Sequence, residues 1–143
     1  MDEAHVEGLG LESIKADLER IDAAGGKADL IRLMAELQHD GIGGLFEARV
    51  NTDDKQSDRY IVNRGQGGIA LPDESYYREA KFNPVRDKPL AHIEKMLALA
   101  GVAAPKETAA RVLAVETELA SHHWDRLKRR DRTLSYNKKD RCH

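Results

Sequence analysis

The stretch from Asn51 to Tyr77 constrains this chain more than any other, because it interrupts a sequence that otherwise reads as helix. A polar segment, Thr52 to Asp58, leads to a β-prone run at Tyr60, Ile61 and Val62, then to Gly65, Gly67 and Gly68, then to Leu71-Pro72-Asp73. Branched and aromatic side chains favour extended backbone, and clustered glycines permit a bend. Just upstream, Phe46, Ala48 and Val50 alternate with Glu47, Arg49 and Asn51, the period-2 pattern of a strand with one wet face. The pattern predicts a hairpin over about residues 45–64, with a polar turn at Thr52 to Asp58 and a glycine bend after it. A lone hairpin is marginal in water, so this one is expected to lean on the helices. Asp73 is expected to cap the helix that follows, with Glu74 favourably placed against its dipole and Tyr76 and Tyr77 in its first turn. Nothing in the sequence decides whether the two tyrosines pack inward.

The flanks carry helical periodicity. Ile14, Leu18 and Ile21 mark an amphipathic helix over 11–23, ended by Gly25-Gly26 in a left-handed conformation. Leu30, Leu33, Met34 and Leu37 mark a second helix over 27–40, stopped by Gly41, and the short link predicts antiparallel neighbours. Asn83 is expected to cap a further helix with Pro84 in its first position, and Pro89 to force a kink or a restart. Leu90, Ile93, Met96, Leu97 and Ala100 then form a stripe up to Gly101. Pro105 opens the last long helix, whose face carries Leu113, Thr117, Ala120 and Trp124 and whose end is basic from Arg126 to Arg130. The tail from Asp131 is polar, with Leu134 and Tyr136 as its large apolar anchors. The fold class this implies is mainly α, an antiparallel helix bundle with one short β-hairpin.

Composition bounds the function. A chain of 143 residues allows one domain with one ordinary core. Aromatics make up only 5% and charged residues 34%, which suits aliphatic helix faces with charged outer sides. A net charge of −2 gives no electrostatic case for nucleic acid or an anionic membrane. No apolar run approaches the roughly 20 residues that cross a bilayer. Met1-Asp2-Glu3-Ala4-His5 is acidic and has no apolar core, unlike a secretory signal. Cys142 is the single cysteine, so no internal disulfide ties the fold to an oxidising compartment. The compartment is therefore open: a cytoplasm, or export without disulfides.

No candidate chemistry assembles from the residues themselves. A zinc hydrolase motif of the form His-Glu-x-x-His does not occur. His122, His123 and Asp125 form the nearest cluster, but adjacent helical residues point about 100° apart and do not share one metal. His39, near a helix C-terminus, and His92, near a helix start, read as structural. Gly65-Gln66-Gly67-Gly68 lacks the lysine and hydroxyl of a phosphate loop, and reads as backbone that needs positive φ or close approach. Arg126 to Arg130 reads as a complement to a helix dipole. Asp53, Asp54 and Asp58 lack calcium-hand spacing and read as a solvated turn. Cys142 stands apart from any nucleophile grouping. No catalytic, cofactor-binding or metal residue is assigned.

Two blocks of wording nevertheless resemble a family. Thr52-Asp53-Asp54-Lys55, Arg59-Tyr60-Ile61-Val62 and Gly68-Ile69-Ala70-Leu71-Pro72-Asp73-Glu74-Ser75-Tyr76-Tyr77 form the first. Glu116-Thr117-Glu118-Leu119-Ala120, His123-Trp124, Arg129-Arg130-Asp131 and Tyr136-Asn137 form the second. Together they resemble the N-terminal region of the M13 zinc metallopeptidases, the neprilysin and endothelin-converting-enzyme family, in its actinobacterial wording. The resemblance implies a partial covering-lobe domain over residues 1–137, with Lys138 to His143 as a non-matching tail. It implies a mainly helical lobe that, with a catalytic lobe absent from this chain, encloses a cavity for peptide substrates. Zinc belongs to the full-length family enzyme, whose ligands and substrate-holding segment lie in a C-terminal half with no counterpart here. The chain alone is thus expected to be inactive, and a truncated or frame-shifted gene would account for both ends. The alternative of a different class is a stand-alone helical interaction module without peptidase activity. A nucleic-acid binder acting through Arg126 to Arg130 would require steeply salt-dependent binding.

Overall fold

The computed structural model describes residues 7–139. The chain divides into two compact units, Met1–Leu45 and Phe46–His143. Helices dominate, and one antiparallel hairpin supplies the strands found among the described residues. This is the mainly α class with a short hairpin that the sequence predicts.

In the first unit, α1 (Lys15–Asp22) is shorter than its apolar period suggests, because residues 11–14 are turn rather than helix. Its end also departs from expectation. Gly25 and Gly26 do not take positive φ; Ala23 closes α1 in right-handed geometry, and extended Gly26 precedes α2 (Lys27–His39). Leu33 is buried in this unit. Arg20 of α1 donates to Glu36 of α2 at 2.8 Å and to Asp17 at 3.0 Å, with Asp40 at 3.7 Å. The Glu36 bond contributes most to holding the Arg20 guanidinium above its ordinary pKa, and its partial exposure keeps such pairs weak.

The second unit opens with the hairpin, β1 (Phe46–Asp53) and β2 (Gln56–Gln66). The strands are longer than predicted and the polar turn shrinks to Asp54-Lys55, with a register shift at Thr52/Asp53. Gly65, expected in the bend, is strand and pairs with Glu47. Phe46, Ala48, Val50 and Thr52 lie opposite Gln66, Arg64, Val62 and Tyr60, so these residues share one face. That face is not sheltered: Val50 is 71% exposed, Val62 66% and Tyr60 77%. Within the second unit the hairpin therefore does not lean along its length on the helices, contrary to expectation.

After the bend come α3 (Ser75–Arg78), a 3₁₀ turn (Ala80–Phe82), α4 (Asn83–Leu99) and α5 (Pro105–His122). Two short helices follow, α6 (Arg126–Arg130) and α7 (Arg132–Ser135). α4 runs through Pro89 without a restart. A proline in a helix interior costs about 3 kcal/mol, and α4 carries it while packed against α5. Phe82 takes the cap position predicted for Asn83, whose side chain instead accepts from Arg86. α5 stops at His122, so Trp124 and the basic run lie beyond it rather than along its face.

Two helices end in the same way. Gly41 has φ +89°, its N–H bonds the Gln38 carbonyl at 3.1 Å, and the Ile42 N–H bonds Leu37 at 2.8 Å. Gly101 has φ +72°, with Gly101 bonded to Ala98 at 3.1 Å and Val102 to Leu97 at 3.0 Å. Both are Schellman caps, which satisfy the orphan carbonyls of a last turn. A Cβ at Gly101 would meet nothing within 4 Å, so the demand for glycine there is purely one of backbone conformation. Gly101→Ala is expected to cost about 1 kcal/mol of stability, read as a lowered urea midpoint with an unchanged slope.

Candidate functional site: the junction of hairpin, bend and long helix

The bend is folded around one phenol. Leu71, Tyr77 and Ala120 are buried together, with Ile69, Tyr76 and Leu113 packed against them. The Tyr77 hydroxyl donates to Glu116 of α5 at 2.6 Å and accepts from the Leu71 N–H at 3.1 Å. Burial, with the Glu116 bond adding to it, pushes the Tyr77 pKa up to about 12. Tyr76 stacks on Phe82, with ring centroids 4.3 Å apart. The orientation of the two tyrosines is thereby settled: Tyr77 inward, Tyr76 half-buried beside it.

Neighbouring polar groups hold this junction in place. Asp73 accepts from the Ser75 N–H at 3.0 Å and from its hydroxyl at 2.5 Å, initiating α3 one residue before the formal cap position, which falls to Glu74. Those bonds from Ser75 and the charge of Arg126 hold Asp73 below the usual carboxylate range, against its burial. Arg78 donates to the carbonyls of Ala120 at 3.0 Å and His123 at 3.1 Å, where α5 ends. Arg86 of α4 donates to the carbonyls of Tyr76 and Tyr77. Gln66 at the end of β2 makes a reciprocal amide pair with Trp124, donating to its carbonyl at 3.1 Å and accepting its N–H at 2.9 Å.

The far end of the hairpin is tied down as well. Asp53 is 0% exposed, not part of the solvated turn its neighbours suggest. It accepts from the Lys55 N–H, the Tyr136 hydroxyl and the Lys138 ammonium, each at 2.9 Å. Lys55 lies over the Tyr136 ring at 4.3 Å. The Lys138 bond, foremost, holds the Asp53 carboxyl far below the ordinary range, and burial opposes it. Tail and hairpin tip thus close on each other across 85 residues of sequence.

The remaining candidates disperse. His122 pairs with Glu118 at 3.2 Å, whereas His123 is half-buried, bonded to the Gly67 backbone, and lowered in pKa chiefly by burial. Asp125 caps α6 by accepting the Lys128 N–H at 2.8 Å. Gly68 has φ +81°, which accounts for a glycine in the bend. His39 is exposed beside Asp40, and His92 is exposed on α4. Asp54 and Asp58 are exposed. Cys142 lies outside the described residues. Among the described residues, no group of three or more His, Cys, Asp or Glu side chains is placed to hold a metal. None of their helices is long and apolar enough to cross a membrane. The sequence reading missed Asp53, Gln66 and Lys138, because their partners lie tens of residues away and no local pattern marks them.

The sequence profile of peptidase family M13 matches residues 1–141. The chain belongs to peptidase family M13. Human endothelin-converting enzyme-like 1 is 33% identical over 119 residues, which cover 77% of this chain and 15% of the human protein. An endothelin-converting enzyme homolog from Locusta migratoria is 34% identical over 100 residues, covering 67% of this chain and 14% of its own. The zinc metalloprotease Zmp1 of Mycobacterium tuberculosis, in complex with an inhibitor, superposes with a TM-score of 0.88 at 41% identity, covering 95% of this chain and 21% of Zmp1. Its open state gives 0.87 at the same identity, with 95% and 22% covered. The M13 chain therefore spans about a fifth or less of the relatives it matches.

The two blocks that carry the M13 wording meet in space: Tyr77 bonds Glu116, and Asp53 bonds Tyr136. Both ties titrate. A tyrosine raised in the fold keeps its proton, so the stability it adds is complete below pH 10 and lost as pH rises towards 12. Tyr136 is raised too, first by its bond to Asp53. Two of the four tyrosines are therefore expected to ionise late in a titration followed at tyrosinate absorbance. A depressed carboxylate acts at the other end of the scale: Asp53 stabilises fully above the ordinary carboxylate range and loses that contribution as pH falls below it. Acid unfolding of Asp53→Asn is expected to begin from lower stability and to fall less steeply. Tyr77→Phe strands Glu116 and the Leu71 N–H, and is expected to cost about 2 kcal/mol in chemical denaturation.

Proposed function

We propose that this chain is the covering-lobe part of an M13 zinc metalloendopeptidase, spanning residues 1–137, and that it forms one wall of the cavity that admits peptide substrates. The observation that carries this reading is the superposition at 0.88 on the inhibitor-bound zinc metalloprotease at 41% identity. Enclosing lobes confine substrates and exclude water from the reacting centre. Zinc, the attacking water and the substrate-holding groups would come from the rest of the peptidase. Among the described residues the side chains do not suit zinc, since His122 and His123 engage different partners and Asp125 is committed to a helix cap. No hydrolytic step is therefore derived from these residues.

Surface area supports a part rather than a self-sufficient protein. The chain exposes 11501 Å² at 16.0 kDa. A self-contained folded protein of this mass exposes about 7,400 Å², and two independently folded units of these sizes about 8,800 Å² together. The excess over even the larger figure is roughly 2,700 Å², as much as one partner loses in a large obligate interface.

The chain alone is expected to hold no stoichiometric zinc and to leave a quenched fluorescent peptide uncut. Chelator-sensitive cleavage by the purified chain would overturn the reading. Translation of the gene past codon 143 in all three frames is expected to reveal His-Glu-x-x-His and a later glutamate, and a catalytic half missing from every frame would count against it.

A further inference from the structure

Two arms of the second unit start from one place and meet again at their far ends. The first is the hairpin, whose β2 ends at Gln66 in the reciprocal amide pair with Trp124. The second runs from Asp125 to Lys138 and leaves the end of α5 at the same tryptophan. Arg126 stands 3.8 Å from Asp73 at this shared root. The arms rejoin at Asp53, where the Tyr136 hydroxyl and the Lys138 ammonium each donate at 2.9 Å to a buried carboxylate. Lys55 completes the clasp, with its N–H on Asp53 and its ammonium over the Tyr136 ring. Between root and clasp no helix of the second unit packs along the hairpin, and α6 and α7 pack chiefly on each other.

The second arm keeps its shape by local bonds. Asp125 accepts from the Lys128 N–H, Asp131 accepts from the N–H groups of Thr133 and Leu134, and the Asn137 amide donates to the Leu134 carbonyl. Each of these bonds spans three residues or fewer, so none needs the clasp. The hairpin likewise carries its own ladder. Each arm is therefore a preformed body, and the clasp fixes their far ends. Its accessible member is Lys138, whose side chain is 34% exposed against 0% for Asp53. A buried carboxylate that loses its cation is costly, so loss of Lys138 favours water reaching Asp53, which parts the arms.

We propose that residues 125–139 form a strap that holds the hairpin in one orientation, and that the strap opens at Asp53 while the helices stay folded. Partial openings of this kind are drawn from segments with few buried apolar contacts, as both arms are. A rod held at both ends turns about one when the other is released. The eight residues of β1 reach about 26 Å at roughly 3.3 Å per residue, so a turn of about 20° at the root moves the tip by about 9 Å. Lys138 is continuous with the residues that follow it, so a pull along the chain there reaches the hairpin through the clasp. The inference stands on contacts within the second unit and does not depend on the covering-lobe reading.

The test uses the full chain with Cys142→Ser, so that introduced thiols alone take nitroxide labels. Ser57→Cys places one label near the hairpin tip and Ala114→Cys places the other on α5, both at exposed positions. Pulsed electron paramagnetic resonance measures the distance between them. The expected result is one narrow distance in the labelled chain. Tyr136→Phe with Lys138→Met is expected to spread that distance by on the order of 10 Å, while far-UV circular dichroism keeps its helical signal. Lys138→Arg is expected to keep the narrow distance, because a guanidinium still donates to Asp53, and so is Lys139→Met at the exposed neighbouring position. An unchanged narrow distance in the double variant would mean that other contacts hold the hairpin, and would overturn the strap. Loss of the helical signal in that variant would make the clasp part of the core and overturn its separate opening. A broad distance in the labelled chain before any change at the clasp would overturn the inference as well.

Discussion

The bond from Tyr77 to Glu116 organises the second unit. A phenol brings a large apolar ring and one hydroxyl, and here each is used by a different element. The ring fills the cluster with Leu71 and Ala120, and the hydroxyl bridges the bend to α5. Once that bridge is made, the ends of neighbouring elements fall within reach of fixed donors. Arg78, next in sequence, reaches the carbonyls left open where α5 stops. Arg86 closes on the Tyr76 and Tyr77 carbonyls from α4. The position of α5 thus follows from the bend, and the base of the hairpin follows from α5 through Gln66 and Trp124.

Polar ties carry this much of the architecture because the apolar core is thin. Leu33, Leu71, Tyr77, Ala109 and Ala120 are the buried apolar residues among those described, and two of them are alanines. Alanine contributes little area, so burial alone specifies few element positions. Hydrogen bonds between distant segments contribute modestly to stability but restrict geometry strongly, above all where one partner is buried and charged. Asp53 is the clearest instance. Removing its carboxylate from water is costly, and three donors converge on it to offset that cost.

This division of labour explains what the sequence disclosed. Period and capping are local properties, so α2, α4 and α5, the hairpin, and the glycines at 41 and 101 were all legible from adjacent residues. The stop at His122 was not, because donors from Arg78, 42 and 45 residues upstream, satisfy the carbonyls there. The burial of Asp53 was not, because Asp53-Asp54-Lys55 reads as a wet turn until Tyr136 and Lys138 are brought to it. The length of β2 was hidden by Gly65, which reads as a breaker yet pairs with Glu47 as ordinary strand. The family was legible for a related reason: its two blocks of wording are the segments that bond to one another.

A thin core and an excess of exposed area are two aspects of one arrangement. Ile21 on α1, Leu30 and Ile31 on α2, Met96 and Leu99 on α4, and Val115 on α5 all stand partly in solvent. Helical stripes are selected to be covered, and stripes on several helices in both units are not. Here the polar ties fix the second unit's elements while leaving apolar faces outward. Apolar faces left outward are the ordinary mark of surfaces that meet other polypeptide, and the relatives that this chain matches are several times its length.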